Sequence, residues 1–426
     1  MAKKIKFQHP TGMHDILPHE QRHFRRIYQL VEDVADFYSF GRIDTPILEN
    51  AELFNKGTGT QTDIVQKEMY LLKSKGGDVL ALRPEGTPPV ARAYIEHGMS
   101  SRPQPVKLYY YGPFFRHEKP QAGRYRQFWQ FGFEVLGEEN PVIDAQIIQI
   151  SYNLLSEIGV KNISVEINSI GDKECRPLYR KALVKHLRSN SSCLCNNCKR
   201  RMKDNPLRVL DCKEEKCQEV KQEAPQMVDF LCSGCKTHFK KVLEYLDEIE
   251  LPYTLEPHLV RGLDYYTKTV FEFFSNKDEE SSLALGGGGR YDYLINQLGG
   301  KETPAVGTAF GVERLAQAIR KDNLPSTKKK RTKIFLAQLG ESARKKSLRM
   351  TESLRKAKVS IEESLGKDSL KAQLARASRI GARYTIIIGQ KEALEETAII
   401  KDMESGKQET VKMDKVIDRV KKLLKE

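Results

Sequence analysis

The chain has 426 residues, 39% hydrophobic and 30% charged, enough for about two to four domains with real cores. A mean hydropathy of −0.54 and no apolar run near the roughly 18 residues of a membrane helix exclude an integral helical membrane protein. The net charge of +14, from 71 Lys and Arg against 57 Asp and Glu, favours polyanionic partners through counterion release, although a solvated charged surface accounts for it equally well.

The start, Met1 to Phe7, is basic but leads into no apolar stretch, so a cytoplasmic protein is the expectation. Residues 1–20 read as extended and turn-rich. From Glu20 to Phe40, Phe24, Ile27, Leu30, Val31, Val34 and Phe37 recur at three and four, which predicts a helix with one buried face. Gly41 ends it, and Arg42 to Leu48 reads as a strand with Pro46 at an edge or bend. Met69–Leu72 and Val79–Leu82 form a hairpin around 75–78, followed by a helix from Thr87 to His97. Val106–Phe115 and Arg126–Leu136 are a second strand pair flanking the charged loop His117–Tyr125. A helix from about Asn140 and a strand at Ile163–Asn168 lead to 172–250, a helical, charged and cysteine-rich insertion. Strands are expected at Tyr253–Leu259, Thr269–Phe274 and Leu283–Leu285, then a helix from about Gly311 to Arg320. This pattern predicts an α+β body with a mainly antiparallel sheet flanked by helices.

Residues 325–332 carry a Pro/Ser/Thr/Lys linker. Beyond it, strand 334–339, helix 341–357, strand 359–363, helix 368–380 and strand 384–388 alternate, which predicts a separate α/β domain with mainly parallel strands over 333–426. The resulting division is a catalytic body in two parts, 1–171 and 251–324, interrupted by the 172–250 insertion and followed by the linker and the C-terminal domain.

Two segments carry phosphate chemistry. Phe114-Phe115-Arg116-His117-Glu118 is a strand running into a loop, and Arg124-Tyr125-Arg126-Gln127-Phe128 returns on the next strand. Arginines so placed can clamp phosphate oxygens bidentately; taken alone, an exposed hairpin with solvated charges is the stronger reading. In Gly307–Leu315, small residues allow close approach of a ligand to the backbone. Arg314 falls in a first helical turn, where a cation is disfavoured unless an anion shares the site.

With the Pro46 strand, these segments resemble the three signature motifs of class II aminoacyl-tRNA synthetases. Leu259-Val260-Arg261-Gly262-Leu263-Asp264-Tyr265-Tyr266 and Gly288-Gly289-Arg290-Tyr291-Asp292 resemble two peptides of the histidyl-tRNA synthetase family. Arg83-Pro84-Glu85-Gly86-Thr87 and Gln127 to Glu134 are similar to that family too. The resemblance runs from about residue 8 to the C-terminus and is weakest over 172–250.

The resemblance implies ATP-dependent activation of L-histidine and its transfer to the 3′ end of tRNA(His). Arg116 and Arg261 would then be catalytic, flanking the α-phosphate and the histidine carboxylate. Arg116, Glu118, Arg124, Phe128 and Arg314 would bind ATP, with Phe128 stacking on adenine and Mg²⁺ on the outer phosphates. Glu85, Thr87 and Gln130 would receive the ammonium of histidine; Glu134 and Tyr266 would meet the imidazole. Arg261, Tyr265 and Tyr291 complete that pocket. Polar pairing of this kind discriminates strongly, because a wrong amino acid leaves buried groups unpaired. The resemblance further implies a homodimer through the 20–40 helix and Pro46, acceptor-stem contacts from Lys119, Arg124 and Arg126, and anticodon binding by the C-terminal domain with Arg376, Arg379 and Arg383 on phosphates. The alternative is a non-catalytic regulatory paralogue of histidine biosynthesis, a class that lacks the anticodon domain.

All eight cysteines lie between Cys175 and Cys235, and clustering inside a long chain suggests metal ligands rather than a disulfide scaffold. Cys195-x₂-Cys198 and Cys232-x₂-Cys235 together suit one structural Zn²⁺, with Cys193, Cys212 and Cys217 as substitutes for one ligand. Reduced free thiols are the equal alternative.

Overall fold

The computed structural model describes residues 7–121, 123–275, 284–321, 334–366 and 369–425. All of the expected 325–332 linker, the beginning of the Leu283–Leu285 strand and residue 368 of the expected 368–380 helix lie outside them. The chain divides into two compact units, Met1–Ser326 and Thr327–Glu426. No helix among the described residues is long and apolar enough to cross a membrane.

The first unit is built on an eight-stranded sheet. Its spatial order is Gly41–Arg42, Val106–Phe115, Gln127–Leu136, Ala305–Gly311, Gly286–Arg290, Thr267–Ser275, Ile163–Ser169 and Thr254–Leu255. All neighbours are antiparallel except the two edge pairs. Alternation explains how its 106–115 and 127–136 strands divide the molecule. Tyr109, Tyr111, Phe131, Phe133 and Val135 enter one core, beneath the helices Gln21–Phe37 and Val142–Ile158. Leu108, Tyr110, Phe114 and Leu136 face a second core with Tyr265, Tyr266 and Tyr291.

Three expectations differ. The Arg42–Leu48 strand is broken: Gly41–Arg42 joins the large sheet and Leu48–Asn50 joins a small sheet with the 70–73 and 79–82 strands. Proline, lacking an N–H and fixed in φ, sits in the break. Tyr253–Leu259 contributes only Thr254–Leu255. Gly286–Arg290 and Ala305–Gly311, which carry few β-formers, are central strands.

The insertion has its own core, formed by Tyr179, Leu183, Leu187, Leu194, Val209 and the buried cysteines, under the helices Arg176–Ser189, Asn196–Asp204 and Ser233–Glu248. Ser233–Glu248 packs on Val142–Ile158. In the second unit, Ile361–Glu363, Ile334–Gln338 and Tyr384–Ile388 are parallel, and two antiparallel strands, Thr397–Asp402 and Gln408–Lys412, extend the sheet. The α/β character stands, but the sheet is mixed rather than mainly parallel.

Arg290, fully buried, ties the body together. Its Nε donates to both Asp144 oxygens at 3.2 and 3.1 Å, its Nη2 pairs with Asp144 as well, and its Nη1 donates to Glu138 O (2.9 Å) and Asp292 (3.2 Å). His238 Nε2 of the insertion lies 3.2 Å from Asp144. Burial alone would raise the Asp144 pKa, but the Arg290 guanidinium overrides it and holds the carboxyl well below its ordinary range. Removing one partner of such a pair strands the other charge in the core. Asp144→Ala is therefore expected to lower the stability of the first unit by about 3–5 kcal/mol in urea unfolding; a loss below about 1 kcal/mol, typical of an exposed pair, would refute the assignment.

Candidate active site

Two adjoining compartments lie on the side of the sheet away from the 21–37 helix. The strand pairs Leu108↔Glu134, Tyr110↔Gly132, Gly112↔Gln130 and Phe114↔Phe128 set the register, and alternation aims Phe128, Gln130 and Glu134 to the same face.

The outer compartment is a cleft of about 930 Å³ whose walls include Arg116, Glu118, Arg124, Phe128, Arg261 and Arg314; Gln130 reaches its inner end. Each arginine is braced by protein acceptors. Arg116 Nε donates to Pro84 O (2.8 Å) while its guanidinium lies over the Phe128 ring, 5.5 Å from the centroid. Glu118 lies between Arg116 (3.9 Å) and Arg124 (3.4 Å). Arg314 Nε donates to Gly123 O (3.0 Å) and its Nη1 to Ala284 O (2.5 Å). Arg261 forms an ion pair with Glu272 and lies over the Tyr266 ring. Burial, and then repulsion from Arg124 and Arg116, lower the pKa of Arg314. Guanidiniums brought together against their own repulsion make a site for an oligoanion.

The inner compartment is sealed and acidic. Glu85 and Glu134 are 4% and 1% exposed. Thr58 Oγ1 and the Tyr265 hydroxyl donate to Glu85, each at 3.1 Å; Thr87 Oγ1 (2.8 Å) and the Tyr291 hydroxyl (2.6 Å) donate to Glu134. Burial pushes Glu85 up to about 6, against the pull of Arg116 and its two hydroxyl donors. It pushes Glu134 up to about 8, against Tyr291 and Thr87, with the Glu85 charge adding to the rise. Tyr266 stands over this pocket, in ring contact with Tyr265.

Glycine makes the room. A Cβ on Gly307 would meet Glu134 Oε2 at 1.7 Å, and one on Gly132 would meet the Tyr110 ring at 2.5 Å. Tyr110 itself is a member of the pocket that motif reading passed over. Its hydroxyl and Gln130 Oε1 are buried without a hydrogen-bond partner among the described residues, a condition that points to a polar ligand. The alternation of the 106–115 strand, with 108, 110 and 114 on one face, was the available signal. Glu313, also absent from the expected set, accepts from Trp129 N at 2.9 and 3.0 Å at the cleft wall, and burial pushes it up to about 7.

The expected residues thus divide: those assigned to ATP line the cleft, whereas Glu85, Thr87, Glu134, Tyr265, Tyr266 and Tyr291 lie behind it. Arg261 and Gln130 stand at the join.

Comparison with known proteins then identifies the family. The family model described as histidyl-tRNA synthetase matches residues 12–315, and an anticodon-binding-domain model matches 333–423. The chain is 43% identical over 416 residues to a histidine–tRNA ligase of Dehalococcoides mccartyi strain 195, covering 98% of this chain and 99% of that one. The chain belongs to the histidyl-tRNA synthetase family. A histidine–tRNA ligase of Aquifex aeolicus is 45% identical over 412 residues, 97% of this chain and 100% of that one. The crystal structure of apo Staphylococcus aureus histidyl-tRNA synthetase superposes with a TM-score of 0.79 at 34% identity, covering 97% and 99% of the two chains. The class II synthetase fold with a C-terminal anticodon-binding domain follows from these matches.

One expected set is corrected. Cys195 and Cys198 do not join Cys232 and Cys235 around one centre. Cys195 and Cys198 gather with Cys212 and Cys217, and Cys232 and Cys235 gather with Asp172 and Cys175. Each C-x₂-C pair caps a different helix, Asn196–Asp204 or Ser233–Glu248, so each takes as partners the residues nearest its own helix start.

The two raised carboxyls give the inner pocket a pH dependence. Each holds its proton more tightly folded than unfolded, so the native state binds more protons between about pH 4.5 and about pH 8. Stability is full below that window and falls as pH rises through it. Glu134→Gln, which has no proton to lose, is expected to flatten that decline in thermal unfolding of the unliganded protein; a decline as steep as the wild type's would contradict the assignment.

Proposed function

We propose that this chain activates L-histidine with ATP to histidyl-adenylate, releasing pyrophosphate, and then transfers the histidyl group to the 3′ end of tRNA(His), releasing AMP. The observation that carries this reading is the junction of a sealed acidic pocket with an arginine-lined cleft in a chain of this family. A carboxylate oxygen must attack the α-phosphorus, so two anions have to meet, and positioning with charge neutralisation supplies most of the catalysis. Arg116 and Arg261 are the catalytic residues at that meeting point. Arg261 stands where pocket and cleft join, so it can hold the substrate carboxylate and an α-phosphate oxygen together. Phe128 receives adenine, Glu118 and Arg124 lie along the nucleotide, and Arg314 takes the γ-phosphate end. Mg²⁺ supplies charge neutralisation to the outer phosphates.

Glu85, Thr87 and Gln130 receive the ammonium, whose charge would favour the ionised form of the Glu85 carboxyl. Glu134 and Tyr266 meet the imidazole, with Tyr265 and Tyr291 fixing the carboxylates from behind. In the transfer step, Lys119, Arg124 and Arg126 meet the acceptor end. In the C-terminal unit, Arg376, Arg379 and Arg383 contact anticodon phosphates. The exposed Pro46, Ile47 and Leu48 support pairing with a second copy through this region and the 20–40 helix. This reading divides the chain as 1–171 and 251–324 for the catalytic body, 172–250 for the insertion, 325–332 for the linker and 333–426 for anticodon binding. It places the protein in the cytoplasm and structural Zn²⁺ in the insertion.

A regulatory paralogue without catalysis is the weaker reading: Arg116, Arg261 and Arg314 share one cleft, and the anticodon-domain match spans 333–423.

Histidine-dependent ATP–pyrophosphate exchange, run against all twenty amino acids with magnesium, is expected to respond to histidine alone. Exchange with another amino acid would sink the pocket assignment, and no exchange from folded protein would favour the paralogue. Arg261→Ala is expected to lower the exchange rate about a hundredfold or more; a wild-type rate would remove Arg261 from catalysis.

A further inference from the structure

The insertion contains two clusters of ligand atoms, each with all four atoms within 4.8 Å of one another. Four ligands around tetrahedral zinc, with Zn–S near 2.3 Å, lie about 3.8 Å apart. Cys195 Sγ and Cys212 Sγ are 3.9 Å apart, as are Cys232 Sγ and Asp172 Oδ2. The sulfur pair is far too distant for a disulfide, whose S–S bond is about 2.0 Å.

We propose that the insertion binds two zinc ions: one held by Cys195, Cys198, Cys212 and Cys217, the other by Asp172, Cys175, Cys232 and Cys235. The assignment deepens the reading of the insertion as zinc-bearing and adds a role for the metal.

The surroundings suit thiolates in both places. Cys195 Sγ accepts from Cys198 N and Cys232 Sγ accepts from Cys235 N, each at 3.4 Å, so each C-x₂-C pair folds its turn around its own sulfur. Cys217 Sγ accepts from Cys195 N at 3.2 Å, and Cys175 Sγ accepts from Cys232 N at 3.1 Å. Backbone N–H groups thus point at sulfur from inside each cluster. Cys175, Cys195 and Cys232 stand at helix N-termini, where the helix dipole favours negative charge. Two cations stand close by: Lys221 Nζ donates to Cys212 O at 2.9 Å, and Lys268 lines one small cleft with Asp172 and Cys235. Thiolate-rich tetrahedral sets select zinc or iron; the carboxylate in the second set favours zinc.

The clusters hold the parts of the insertion that grip the histidine pocket. Beyond the four-cysteine cluster, Arg201 and Arg208 both donate to Asp63 Oδ2, at 2.9 and 2.6 Å, and Asn205 Nδ2 donates to Asp264 at 2.8 Å. Asp264 N in turn donates to Thr58 O at 3.1 Å. Thr58 and Tyr265, the neighbour of Asp264, are the two donors to Glu85. At the second cluster, Arg176, next to Cys175, donates to the Tyr266 carbonyl. The two ions therefore brace the Arg261–Tyr266 peptide from outside, and their ligands are positioning residues.

Metal analysis of the purified full-length protein by plasma mass spectrometry is expected to find two zinc ions per chain. Cys212→Ser and Cys235→Ser should each lose one and keep the other, which separates loss of a site from unfolding. Cobalt substitution should give thiolate charge-transfer absorption that falls in each variant. Cys212→Ser should raise the KM for histidine several-fold in pyrophosphate exchange while the KM for ATP holds. Wild-type protein that is zinc-free yet active with histidine would overturn the metal sites and leave the proposed function standing. Zinc-loaded protein without exchange would do the reverse. Iron in place of zinc would overturn the metal's identity, loss of both ions in either variant would overturn the independence of the sites, and an unchanged histidine KM would remove the bracing role.

Discussion

The two central strands of the large sheet are rich in glycine, and the pocket depends on that. Gly286–Arg290 runs antiparallel to Ala305–Gly311, with Gly288 opposite Thr308 and Gly289 opposite Gly307. A Cβ on Gly288 would meet Gly307 O at 2.0 Å, and one on Gly307 would occupy the place of the Glu134 carboxylate. Steric emptiness there lets an acid from the neighbouring strand, and Arg261 and Tyr266 from the far side, lie flat over the backbone. Glycine weakens a strand by entropy and lost packing. Here the flanking strands, rich in Phe, offset that weakness through cores on both faces.

Over this floor the chain sets two environments of opposite sign side by side. The inner one is buried, so its carboxyls hold their protons to higher pH than a free glutamate, Glu134 more than Glu85. The outer one gathers arginines whose mutual repulsion is contained by backbone carbonyls and by Glu118 and Glu272. Under the proposed function, a zwitterion bridges the two with its ammonium inward and its carboxylate at the join. Neither compartment is relaxed without its ligand: raised acids, opposed guanidiniums and the unpaired Tyr110 hydroxyl all favour the bound state. Binding energy can then be directed to the reacting geometry.

The insertion is tied to this arrangement at several points. Arg201 and Arg208 on Asp63, Asn205 on Asp264 and His238 beside Asp144 cross from insertion to body through polar contacts that range from exposed to buried. Order within a small cysteine-rich core is thereby transmitted to residues that hold Glu85. Arg290 belongs to the same scheme: although it lies in a peptide shared with the family, its guanidinium serves the fold, while the adjacent Tyr291 faces the pocket.

Local pattern in the sequence determined much of the architecture. Spacing at three and four marked the 21–37 helix, alternation marked the 106–115 and 127–136 strands, and strand–helix alternation marked the start of the C-terminal unit. These signals survive because they report how each segment meets water or core, which depends on near neighbours in sequence. The family peptides carried the functional reading further than periodicity could, pointing to Arg261, Tyr266 and Glu134 before any geometry existed. Tertiary structure alone decided the rest. Gly286–Arg290 is a strand because its neighbours demand flat backbone there, against its own propensity. Arg290 is structural because Asp144, far away in sequence, is buried beside it. Seven of the eight cysteines, with Asp172, divide into two groups of four because each C-x₂-C pair opens a different helix, and which distant residues meet that helix is a property of the fold. Spacing reveals a knuckle; only packing in three dimensions chooses its partners.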